Sequence, residues 1–266
     1  MTDFNPFEII DGDARKGLVL LADHAMNRLP AEYGDLGLAP AAFTRHIAYD
    51  IGVEGVTRGL AARLGVPAVL GCFSRLLIDP NRGEDDPTLI MKLSDGAIIP
   101  ANHPLSAEER LRRLDAYHRP YHRAVAQTIG DVADASGVAP LVLSIHSFTP
   151  FWKQDARPWH AAILWDRDAR AVTPFLDMLR EDKSLVVGDN EPYDGALMND
   201  TMFRHCTAKG LAHALLEIRQ DLIADEAGIA AWIDRLEPIA ARLNAMPDLH
   251  EVRHFGSRAG PVNLRA

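Results

Sequence analysis

The chain holds 266 residues, 47% of them hydrophobic, enough for one large α/β domain or two small ones. Its 37 acidic residues outnumber 28 basic ones for a net charge of −9, which argues against a surface for nucleic acid or anionic membrane, and no run of basic residues overrides that balance. Two distant cysteines, Cys72 and Cys206, the lack of a basic-then-apolar leader, and the lack of any window of ~18 apolar residues set the expectation of a soluble cytoplasmic protein.

GLVLLADH (17–24) reads as a buried strand that finishes on Asp23 and His24, with Asn27 close behind. Burying such groups unpartnered costs ~2–7 kcal/mol each, so a metal, a substrate or turn hydrogen bonds must satisfy them. After the turn GDLGLAP a helix is predicted over 40–64, and it contains HIAYDIG with Asp50. PAVLGCFSRLLID (67–79) reads as a second strand carrying Arg75 and trailed by Asn81 and Arg82. Ser106, with Glu109 three residues on, caps a helix predicted for 106–135. Within it Arg110, Arg112 and Arg113 are expected on a solvated face. His118 and His122 lie one helical turn apart without the Glu of the helical zinc-protease motif, so they read as surface or core. PLVLSIHSF (140–148) is a strand ending on His146 and Ser147, AAILW (161–165) another, and HALLEIRQD (213–221) a further one ending on Glu217 and Arg219. Helices are predicted over 169–181 and 228–244.

This alternation predicts a single α/β domain over 1–266 with a parallel or mixed sheet. In open α/β sheets, sites gather at the carboxyl ends of strands, and here four such ends carry polar or charged residues. His24 and His146 can reach one point and share a metal, with Asn27, Asp50 or Asp23 as the third ligand. Glu217, at the core's edge, suits proton transfer because desolvation raises a carboxylate pKa, the alternative being an ion pair with Arg219. Arg75, Asn81 and Arg82 suit an anionic substrate or a developing oxyanion, or else salt bridges to surface acids. His205, in RHCTAKG, lines the pocket or caps a helix, and the two cysteines read as small core residues. No glycine-rich phosphate-binding motif occurs, so nucleotide-cofactor chemistry is not indicated.

Taken in order, DHAMNRLP, HIAYDIG, FSRLLIDPNRG, SIHSFTP, GDNEPYDG, RHCTAKG and LLEIRQDLI resemble the N-formylglutamate amidohydrolase family, from about residue 17 to 225. That family is similar to zinc carboxypeptidases and aspartoacylase-type deacylases. The resemblance implies a three-layer α/β/α sandwich with a mixed central sheet. It implies Zn2+ held by His24 and His146, with Asn27 standing where the carboxypeptidase-like pattern has Glu, which leaves the third ligand open between Asn27, Asp50 and Asp23. It implies Glu217 as general acid/base, and Arg75, Asn81 and Arg82 as the residues that polarise the carbonyl and hold a substrate carboxylate; Ser147, Arg219 and His205 are further candidates for substrate contact from their own positions. The implied reaction cleaves N-formyl-L-glutamate into formate and glutamate. The alternatives are another N-acyl amino acid or small peptide amide, or a non-catalytic anion-binding relative. The expected partner is a small anionic molecule, with neither nucleic acid nor membrane.

Overall fold

The computed structural model describes residues 4–262. In chain order its strands are β1 (Phe7–Ile10), β2 (Leu18–Ala22), β3 (Ala68–Gly71), β4 (Leu93–Ser94), β5 (Ala97–Ile98), β6 (Leu141–Phe148), β7 (Phe151–Trp152), β8 (Asp155–Ala156), β9 (Ala161–Leu164), β10 (Val187–Asp189) and β11 (His213–Arg219). The α-helices are α1 (Val53–Leu64), α2 (Ala107–Arg113), α3 (Arg119–Ser136), α4 (Val172–Glu181), α5 (Thr201–His205) and α6 (Glu226–Asn244). Seven strands form one sheet in the order β1-β3-β2-β6-β11-β9-β10. Strands β3, β2, β6 and β11 run parallel, while β1 and the β9–β10 pair run against their neighbours β3 and β11, so the sheet is mixed. The hairpins β4–β5 and β7–β8 stand apart from it.

Successive strand residues face opposite sides, and the strand-borne core divides accordingly. Leu18, Leu20, Leu143, Ile145, Leu216 and Ile218 pack against α1, α4 and α6. Val19, Leu21, Val142, Leu215 and Leu164 pack toward α3 and the loops before it. Each such side chain contributes ~1.5–3 kcal/mol by leaving water, and together they fix three layers, helix on sheet on helix.

Three predicted elements change on folding, and each change moves a polar residue into place. The helix expected over 40–64 begins only at Val53. Pro40–Thr44 makes a tight 3-10 turn, and Gly52 takes φ +82°, where a Cβ would stand 2.1 Å from the Ile223 carbonyl oxygen. Asp50 is thereby left on an irregular segment, its N–H bonded to the His24 carbonyl at 2.9 Å. The strand expected over 67–79 stops at Gly71. Leu76, Leu77 and Ile78 are apolar because they fill the α3-side core, not because they are extended. Ser106 does cap α2, accepting from the Glu109 N–H at 3.0 Å. The helix then widens through a π-type turn at Leu114–His118 before α3, where Pro120 has no N–H to continue the ladder. Arg113 is not solvated. It is 1% exposed, donating to the Leu77 carbonyl at 2.9 Å and to Asn102 Oδ1 at 2.6 Å.

Cys72 and Cys206 are free and buried, and no helix among the described residues is long and apolar enough to cross a membrane.

Candidate active site

Beyond β2 and at the end of β6, His24 and His146 approach edge to face, ring centroids 5.2 Å apart. Each ring is held from behind by a buried carboxylate. His24 Nε2 donates to Asp79 Oδ1 at 2.6 Å, and His146 Nε2 donates to Asp23 Oδ2 at 3.0 Å. Asp23 thus braces the histidine on the neighbouring strand rather than His24 beside it. Its other oxygen accepts from the Tyr121 and Thr201 hydroxyls, both at 2.7 Å. The two Nδ1 atoms turn to Asp50, whose Oδ2 lies 2.9 Å from His146 Nδ1 and 3.4 Å from His24 Nδ1.

His24, Asp50 and His146 can therefore hold a metal ion: their ligand atoms lie within 4.8 Å of one another, and all three are buried. Two further observations fit such an ion. Imidazoles braced by carboxylates are the usual supports of a metal site, and His24 Nδ1 is a buried nitrogen with no hydrogen-bond partner. Moreover, Asp23, Asp50 and Asp79 face two imidazoles and the Arg75 guanidinium, a surplus of negative charge that a divalent cation neutralises. Burial opposes ionisation of Asp50, but Arg75, His24 and His146 outweigh it and hold its carboxyl well below the usual range. Of the other proposed ligands, Asn27 is half-buried and donates its amide to the Phe43 carbonyl at 2.6 Å.

Glu217 is the cross-strand partner of His146 and points to the same face of the sheet. The ion pair with Arg219 does not form. Arg219 turns to Asp221 at 2.8 Å and to loop carbonyls, while Glu217 stays 7% exposed with Oε2 buried and unpartnered. Burial, reinforced by the charge on Asp50 and opposed by His146 and Arg75, pushes its pKa up to about 7. A carboxylate so placed can take and return a proton near neutral pH.

The remaining predicted residues separate. Arg75 bonds Asp50 Oδ1 through Nη2, and its Nε is buried without a partner. Asn81 uses Oδ1 to accept from the Thr201 N–H at 3.1 Å. Arg82 is half-buried and meets no carboxylate within 4.0 Å among the described residues. Ser147 lies on the opposite face from His146 and spends its hydroxyl on the Ile51 carbonyl, while its N–H reaches Asp50 Oδ2 at 3.3 Å; it is a support for Asp50. His205 is removed from the cluster, bonded to His122 at 2.9 Å.

Three residues escape sequence reasoning. His46 Nε2 lies 3.4 Å from Arg75 Nη2, and burial together with that guanidinium pushes its pKa down to about 3, so it stays neutral. Arg157 is 7% exposed and has no carboxylate partner among the described residues. It sits among the rings of Tyr193 (5.0 Å), Trp152 (5.7 Å) and Phe148 (5.8 Å), and donates Nη1 to Thr149 Oγ1 at 2.9 Å. Tyr193 feels both Arg157 and Glu217, and burial raises its pKa. Nothing in the local sequence flags Arg157 or Tyr193. The histidine in HIAYDIG, four before Asp50, is the one signal that was available.

Two imidazoles and a carboxylate able to hold an ion, beside a glutamate whose pKa lies near neutrality, are the equipment that hydrolysis of an amide requires. The model of the N-formylglutamate amidohydrolase family matches residues 16–224, and the chain belongs to that family. It is similar to the crystal structure of gene product Atu2144 from Agrobacterium tumefaciens, at 32% identity and TM-score 0.83, covering 90% of this chain and 95% of the other. It also shares its fold with N-formylglutamate amidohydrolase from Ralstonia eutropha JMP134, at 22% identity and TM-score 0.67, covering 91% and 97%. Comparison with curated proteins produced no match.

Proposed function

We propose that the chain is a zinc-dependent enzyme that hydrolyses N-formyl-L-glutamate to formate and L-glutamate. The observation that carries this reading is the unpartnered Glu217 Oε2 held beside the His24, Asp50 and His146 cluster. A divalent cation held by those three residues supplies Lewis acidity, which makes water nucleophilic near neutral pH and polarises a carbonyl. Glu217, with its raised pKa, accepts the proton of the attacking water as the new C–O bond forms. It then gives that proton to the departing nitrogen as the C–N bond breaks, leaving formate and a free amine.

Arg75, fixed on Asp50, keeps one N–H group unpaired for the oxygen that gains negative charge. Among the described residues Arg157 and Arg82 are guanidinium groups without acidic partners, and each offers the planar donor pair that a carboxylate takes. A substrate with two carboxylates supplies a partner to both. Burying Arg157 unpaired is costly, and a substrate carboxylate offsets that cost only while bound.

The test is formate release from N-formylglutamate by the purified protein, before and after chelation, with metal content measured in parallel. About one zinc per chain with chelator-sensitive release is expected. Bound metal without formate release redirects the reading to another N-acyl amino acid, and neither metal nor release after zinc is restored overturns it.

A further inference from the structure

On the α3 side of the molecule an open cavity of about 600 Å3 shares no residue with the cluster of His24, Asp50, His146 and Glu217. It is walled by α3, by α5 and by the turn Thr207–Lys209. Its charged side chains are Arg119, Arg123, Arg204 and Lys209 against a single acid, Glu84. Glu84 is already engaged, taking Arg119 Nη2 on Oε2 at 2.7 Å and Nε on Oε1 at 3.1 Å, and Arg204 comes no nearer to it than 3.8 Å. Arg123 and Lys209 have no carboxylate within 4.0 Å among the described residues.

Arg119 is further taken up by Asp115, Nη1 to Oδ1 at 2.5 Å, so Arg123, Arg204 and Lys209 are the cations left on this wall, a local reversal of sign in a chain of net charge −9. A concave wall focuses such a field and attracts anions. The reversal is invisible along the sequence because the cations come from two segments, 119–123 and 204–209. The floor adds no charge of its own. His122 Nε2 donates to the Pro80 carbonyl at 2.9 Å, so His122 Nδ1 accepts from His205 Nε2 at 2.9 Å. Burial keeps both rings neutral, holding His205 near about 3 and His122 well below its ordinary value.

We propose that this cavity is a second anion site, built for a small molecule that carries more than one phosphate group. Guanidinium forks from α3 and α5 match phosphate oxygens, and the volume exceeds what a single carboxylate or phosphate fills. The site also touches the hydrolytic centre through one short helix. Phe203, Arg204 and His205 of α5 line the cavity, while Thr201 at its start bonds Asp23, the brace of His146, and takes Asn81 Oδ1 on its N–H. Occupancy therefore acts on turnover through α5, an effect that rests on the proposed amide hydrolysis, whereas binding itself does not.

The probes are fructose 1,6-bisphosphate and inorganic phosphate, which bind metals weakly, titrated calorimetrically into the metal-loaded protein and its R123A/K209A variant. Both replaced side chains are exposed and without an ion-pair partner among the described residues, so the fold is preserved. Saturable one-to-one binding of the bisphosphate is expected, tighter than phosphate, weakened at least tenfold in the variant and falling with salt. No saturable binding, or equal affinity in the variant, overturns the site. A change in kcat/KM for formate release at saturating bisphosphate, absent in the variant, supports action through α5. Saturable binding that leaves kcat/KM unchanged overturns that action.

Discussion

Replacing Glu217 by Gln separates two consequences of the same burial. Gln keeps the shape but cannot accept the proton of an attacking water, so kcat should fall by ~10²–10⁴-fold with metal still bound. The same substitution should stabilise the metal-free protein at alkaline pH. Burial raises the Glu217 pKa from 4.5 to about 7. A raised carboxyl binds more protons folded than unfolded, so stability is greatest below pH 4.5 and is lost as pH rises to about 7. At ~1.4 kcal/mol per pH unit that loss is at most about 3.5 kcal/mol. Urea unfolding of metal-free wild type and E217Q at pH 4 and pH 8, beside formate-release kinetics, provides both readouts. The variant should be more stable at pH 8 and indistinguishable at pH 4. Equal stability at both pH values, or activity within tenfold of wild type, refutes the assignment.

Other perturbations reach different parts of the site. Asp79→Asn removes the charged brace of His24 and should weaken zinc affinity by ~10–100-fold in a competition titration with a chromogenic chelator. Arg157→Ala should raise KM for N-formylglutamate and lower kcat/KM by ~10–100-fold, the worth of a charge-assisted hydrogen bond, with kcat less affected. Gly71→Ala places a Cβ 2.1 Å from the Asp23 carbonyl oxygen and should cost ~1–3 kcal/mol, seen as a fall of ~2–10 °C in Tm.

His24, His146 and Glu217 were legible because each closes an apolar run, and strand ends are where α/β sheets gather ligands. The order of apolar runs likewise outlined β2, β6, β9 and β11. Asp50 was harder to place. Helical periodicity ran through it, and only the left-handed Gly52 and the Ile223 carbonyl against it show why the chain breaks there. The apolar run Leu76-Leu77-Ile78 misled for a related reason, since burial under loops leaves the same signature as burial in a strand. Arg157 and Tyr193 meet through loop geometry that no local periodicity encodes. The edge strands β1 and β10 are three or four residues long with partly exposed faces, too short for a pattern.

Asp23 gathers a tyrosine, a histidine and a threonine that lie 98, 123 and 178 residues further along the chain. A growing polypeptide cannot complete that carboxylate's shell until β6, α3 and α5 have all emerged and docked. The candidate metal cluster is therefore a product of the whole domain's cooperativity, and an unfolded chain would offer an ion little affinity. By mass action, an ion present at a thousand times its dissociation constant adds ~4 kcal/mol to the folded state. On the proposed metal-dependent reading, ion supply during synthesis sets how much of the population folds, as well as how much of it turns over substrate.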